Sequence, residues 1–104
     1  MTTGYQIKDQ SGLYYLTLQI VDWVDIFTRP VYRDIVIDSL RHCIHNKGLQ
    51  VFAYVIMSNH VHLVSQSSIG DLSGTIRDFK KYTSNKMLET IEMMPESRRE
   101  WLLN

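Results

Sequence analysis

At 104 residues, with 44% hydrophobic and 11% aromatic content, the chain has the length for one packed core and too much apolar character for disorder. Lys+Arg and Asp+Glu both number 11, which excludes a global electrostatic pull toward nucleic acid, so any basic function must come from a local patch. The single cysteine, Cys43, excludes an internal disulfide. No apolar run reaches the roughly 18 residues of a membrane span, and no signal peptide opens the chain, so it reads as a soluble, cytoplasmic protein without a membrane partner.

Residues 13–21, LYYLTLQIV, are rich in β-branched and aromatic side chains and predict a strand, which the following DWVDIF either extends or leaves. Thr28-Arg29-Pro30 opens a helix, with Pro30 near the first helical position. Val36, Leu40, Cys43, Ile44 and Lys47 then recur at helical spacing until Gly48 supplies a stop. Residues 49–57 and 60–66 predict two further strands. Ser58-Asn59 is the polar break between them, so they form a tight antiparallel hairpin, followed by a short loop over 67–70.

Asp71 caps a long helix running to about Met94, with an apolar stripe of Leu72, Ile76, Phe79, Thr83, Met87, Ile91 and Met94. Pro95 ends it, and residues 96–103 read as a last helical turn or two. Strand, helix, strand, strand, helix is most of a split β-α-β layout. The expected fold is therefore α+β, one domain over residues 1–104, with an antiparallel sheet carrying two helices on one face. A complete unit needs one more strand, and Asn104 comes before one. Either three strands or a partner copy closes the sheet, or the chain is truncated, which its apolar ending Trp101-Leu102-Leu103 favours.

His60 and His62 stand two apart in a run of apolar residues. A strand alternates faces with a period of two, so both imidazoles share one face while Val61 and Leu63 turn to the core. Such a pair can hold a divalent metal, or grip a phosphate when protonated. Two ligands underdetermine a metal site, and a bare His-x-His is more often a pair of hydrogen-bonded strand histidines. Asn59, just before them, suits the turn. The second candidate region is basic. Arg77, Lys80, Lys81 and Lys86 stand against the single anion Asp78, and Arg77, Lys81 and Ser84 share a helical face opposite Phe79. A solvated face explains it as well as phosphate contacts do. His42 and His45 read as an ordinary pair near a helix C-terminus. Glu96, Arg98, Arg99 and Glu100 read as mutual ion pairs.

MSNHVHLV, residues 57–64, resembles the Met-Pro-Asn-His-Val-His-Leu-Leu signature of the HUH single-tyrosine transposases, in particular the REP-associated tyrosine transposases. The likeness extends in order along the chain. Gly12-Leu13-Tyr14-Tyr15-Leu16-Thr17 resembles the family's first strand, and residues 48–54 the entry to its histidine strand. Asp71-Leu72-Ser73 through Phe79-Lys80-Lys81-Tyr82-Thr83-Ser84 resembles its following helix.

The resemblance implies a ferredoxin-like sheet of the HUH endonuclease type that takes single-stranded or hairpin DNA as partner. It implies Mg²⁺ or Mn²⁺ on His60 and His62, with Asn59 as motif support and a third, oxygen ligand. It also implies DNA contacts from Arg77, Lys80, Lys81, Ser84 and Lys86. In such enzymes a tyrosine hydroxyl attacks the phosphorus, forming a 5′-phosphotyrosine and a free 3′-OH for strand transfer.

Two departures stand out. Ser58 replaces the usual proline, and the family's catalytic tyrosine lies on a helix beyond the stretch present here. Of the six tyrosines, Tyr82, helical and beside Lys80 and Lys81, is the best-placed substitute, although packing beside Phe79 also explains it. A non-catalytic nucleic-acid-binding module and a decayed remnant share the same fold, so both readings stay open. Related enzymes are often dimers, and an incomplete sheet invites a second copy.

Overall fold

A computed structural model describes residues 2–3, 6–19 and 29–93 of the chain. Its elements run β1 (Thr2–Thr3), β2 (Tyr14–Gln19), α1 (Pro30–Asn46), β3 (Leu49–Ile56), β4 (His60–Ser67) and α2 (Leu72–Glu92). The strands form one antiparallel sheet in the order β1-β2-β4-β3, with both helices packed on one face. This is the α+β architecture expected from the sequence, with one addition. The two-residue β1, pairing Thr2 with Gln19 and Thr3 with Leu18, is too short to carry a periodicity. The expected continuation of the first strand past Gln19, and the helical turns expected over residues 96–103, lie outside the described residues.

Each helix boundary follows from local chemistry. Pro30 opens α1, where its missing N–H would have had no intrahelical partner. At the other end Lys47 donates its N–H to the Cys43 carbonyl at 2.9 Å, and Gly48 turns the chain with φ +71°. The Asp71 side chain caps α2 by accepting the Gly74 N–H at 3.1 Å. Gln10, from the loop before β2, adds a second cap. Its Oε1 accepts the Ser73 N–H at 2.7 Å and its backbone carbonyl accepts that of Leu72 at 3.3 Å.

The core lies between the sheet and the two helices. Leu16 and Leu18 of β2, Leu49 of β3, and Val61 and Leu63 of β4 meet Tyr32, Val36, Leu40 and Cys43 of α1. Leu72, Ile76, Phe79, Met87 and Ile91 of α2 complete the cluster. Fully burying each large apolar side chain contributes about 1.5–3 kcal/mol before entropy is counted. From Leu72 to Ile91 the α2 stripe is the one its three-and-four spacing predicted, and Met94, expected to end it, lies outside the described residues.

β3 departs from simple alternation. Val51 pairs with Ser65 and Ala53 with Val64, so Phe52 is the extra residue of a bulge. Before it Leu49 and Val51 are on the helix side. After it Tyr54 and Ile56 are, which places Val55 opposite His62 on the open face. The β3–β4 turn is Met57–Asn59, closed by the Met57 N–H donating to the His60 carbonyl at 2.8 Å.

Candidate functional site

Because the odd positions of β4 from Val61 to Ser67 are buried under the helices, the even ones, His60, His62, Val64 and Gln66, face the other way. The register then sets their neighbours: Gln19 lies opposite His60, Thr17 opposite His62, and Tyr15 opposite Val64. Both imidazoles are half-buried on this open face, side by side as the period of two requires.

Their ring nitrogens have defined partners. The Nε2 atoms of His60 and His62 converge to 3.1 Å. His60 Nδ1 is 2.9 Å from Asn59 Oδ1, while His62 Nδ1 is 2.7 Å from the Tyr15 hydroxyl and 3.3 Å from Thr17 Oγ1. The rings of Tyr15 and His62 stack with centroids 5.5 Å apart, and those of His60 and His62 meet edge to face at 4.7 Å. Asn59 thus does more than make the turn, since its amide oxygen orients the first imidazole.

This arrangement fits a small dication. Adjacent ligands about 2.1 Å from such an ion lie roughly 3.0–3.4 Å apart, and histidine ligands characteristically engage an oxygen through the other ring nitrogen. Among the described residues no group of three or more His, Cys, Asp or Glu side chains is placed to hold a metal, so the imidazoles stand as a pair. Beside His62 the open face has a hollow of about 140 Å³, walled in part by Tyr15, Ala53, Val55 and Val64.

The basic residues lie elsewhere. α2 packs on the helix side of the sheet, so Arg77, Lys80, Lys81, Ser84 and Lys86 are not brought together with the histidines. Arg77 and Lys81 are exposed, and Ser84 is half-buried. Lys80 is also half-buried, and desolvation pushes its ammonium below the ordinary lysine value. Asp78 is 3.7 Å from Lys47 Nζ and 3.9 Å from Arg77 Nε, and Lys86 is 3.6 Å from Glu89. Tyr82 lies in the same layer, its ring stacked on His42 at 4.6 Å with Lys86 Nζ 5.7 Å from its centroid. The sheet lies between Tyr82 and the imidazole pair.

Tyr15 and Thr17 are site residues that the sequence reading left among ordinary strand positions. Both strands were predictable, but the register that brings Tyr15 to His62 is set by pairing across 47 residues of chain.

The fold is similar to the solved structure of a REP-associated tyrosine transposase bound to a REP hairpin. The identity is 13% and the TM-score 0.67, over 83% of this chain and 53% of that one, so this chain spans about half the length of that protein. No curated protein matches the sequence significantly. The family described as "Transposase IS200 like" matches residues 14–102. With nearly its whole length matched, the chain belongs to the IS200-like transposase family.

Proposed function

We propose that this chain carries the metal-holding face of an enzyme that cuts and rejoins single-stranded or hairpin DNA during transposition. The observation that carries the reading is the convergence of His60 Nε2 and His62 Nε2 to 3.1 Å on the open side of the sheet. Bound there, Mg²⁺ or Mn²⁺ would polarise a phosphoryl oxygen of the scissile phosphodiester. The chain's own part is to orient the imidazoles. Asn59 Oδ1 engages His60 Nδ1, and Tyr15 engages His62 Nδ1 from behind the ring, leaving both Nε2 atoms toward the ligand. The hollow walled by Tyr15, Val55 and Val64 gives an unstacked base an apolar seat beside the phosphate.

The attacking tyrosine in this reading comes from outside the described residues. Tyr82 is held on the helix side, and the Tyr15 hydroxyl is engaged at Nδ1, the far side of the ring from the paired Nε2 atoms. Arg77, Lys80, Lys81, Ser84 and Lys86 are assigned phosphate contacts with a part of the DNA remote from the scissile bond, because the sheet separates them from the histidines. Calorimetric titration with Mn²⁺ tests the central assignment. One site is expected in the natural chain and no measurable binding after His62→Ala. Undiminished binding by that variant would remove the metal role.

A further inference from the structure

His42 and Tyr82, read from the sequence as an ordinary helix-end histidine and a packing tyrosine, meet between the helices. Thr75 Oγ1 of α2 donates to the Lys47 carbonyl at 3.0 Å, which sets the last turns of α1 beside α2. Asp78, Lys81, Tyr82 and Asn85 recur every three or four residues and so share one face of that helix. His42 and Lys47 meet this face from α1, and together these side chains line a hollow of about 230 Å³. One wall is aromatic. The His42 and Tyr82 rings lie 9° from parallel with centroids 4.6 Å apart, and Asn46 Nδ2 stands 3.3 Å from the imidazole Nδ1. The remaining groups are uncommitted. Among the described residues Lys81 has no ion-pair partner, and neither the Tyr82 hydroxyl nor the Asn85 amide makes a hydrogen bond. Lys47 is 3.7 Å from Asp78, but these side chains are 44% and 40% exposed, so the pair is weak and an anionic ligand can displace it.

We propose that this hollow seats one unpaired nucleotide of single-stranded DNA, its base laid on the His42–Tyr82 stack and its phosphate held by Lys47 and Lys81. The inference rests on the assignment of α2 to DNA binding and narrows it to an unpaired strand. A duplex keeps its bases stacked on one another and shows a protein only phosphates and groove edges, for which a basic helix suffices. A wall of stacked rings serves a base that has left its own stack. Lys86 Nζ, over the Tyr82 ring at 5.7 Å from its centroid, keeps positive charge beside that wall. The seat is separate from the hollow beside His62, which lies on the opposite face of the sheet.

Binding of oligothymidylate and of an abasic oligomer of equal length, measured by fluorescence anisotropy with chelator at one fixed salt concentration, tests this on the full chain. His42→Leu removes the ring but keeps a bulky helix former. It is expected to weaken oligothymidylate binding about tenfold and to leave the abasic oligomer unaffected. His42→Phe keeps an aromatic face and is expected to bind oligothymidylate as the natural chain does. Lys81→Gln is expected to weaken both oligomers alike, because both carry the phosphates. Urea midpoints show whether each variant is folded, and Tyr82→Leu, which removes the other ring, gives the same comparison should His42→Leu not fold. Undiminished oligothymidylate binding without the ring, or equal loss for the two oligomers, overturns the stacked base. If Lys81→Gln still weakens both oligomers in that case, the DNA role of α2 stands without it. Binding of neither oligomer by the natural chain overturns both.

Discussion

Two buried side chains on the helices carry consequences that their apolar setting does not suggest. Thr83 belongs to the stripe of α2 and is fully buried, yet its Oγ1 has no hydrogen-bond partner among the described residues. A desolvated hydroxyl without a partner costs about 1–3 kcal/mol, so the near-isosteric Thr83→Val is expected to raise stability by about 1 kcal/mol in urea denaturation. Cys43 is also fully buried, and its thiol is pushed up to about 11, first by desolvation and then by Asp78, with Lys47 opposing. The folded value lies above the unfolded one, so the unfolded chain loses its proton first. The thiol's contribution to stability is complete below about pH 9 and declines as pH rises toward 11. At about 1.4 kcal/mol per unit the loss is of order 2 kcal/mol. Denaturation curves across that window should show it, and Cys43→Ala, although less stable at neutral pH, should flatten this part of the dependence. A thiol reagent is expected to label Cys43 only on unfolding.

At the scale of elements, the N-terminus of α2 is the sharpest case of one residue constraining another. A Cβ added at Gly74 would run into the Asp71 carboxylate that caps the helix. Gly74→Ala should therefore displace the cap and cost about 0.5–2 kcal/mol, as Asp71→Ala should by removing it. Once Asp71 is alanine, the same Gly74→Ala change meets no carboxylate. It then gains the helix propensity of alanine, about 1 kcal/mol. The two substitutions are expected to couple with opposite sign in a double-mutant cycle, and additive effects would show that the cap does not depend on the glycine. The bulge at Phe52 works on the same scale. By shifting parity within β3 it gives Ile56 to the core and Val55 to the open face beside His62, which an unbroken alternation from Leu49 would have reversed.

Taken whole, the molecule separates its two candidate functions by the thickness of a sheet. DNA held through α2 is held mainly by charge, so binding of a single-stranded hairpin should weaken steeply with salt. Replacing Arg77 and Lys81 together by Gln should lower the logarithmic salt slope by roughly 2, while Mn²⁺ binding at the histidines stays unchanged. A slope that does not move would free α2 of the DNA role. No helix among the described residues is long and apolar enough to cross a membrane. β3 is the outer strand of the described sheet, with Phe52 62% exposed, and a second copy is the expected partner along it. Sedimentation should show a dimer that Phe52→Lys dissociates.

The amino-acid order by itself determined β2, β3, β4 and the two helices, and the burial of β4 and α2. Period two through His60–Ser67, the three-and-four stripe of α2, Pro30, Gly48 and Asp71 each act within a few residues, and local chemistry needs no distant partner to be read. It also determined that His60 and His62 share a face. Tertiary structure alone decided what surrounds them, because register, bulge and layer are settled by pairing between segments far apart in the chain. That is how Tyr15 came to His62, how Val55 reached the open face, and why the basic side of α2 lies across the sheet from the histidines.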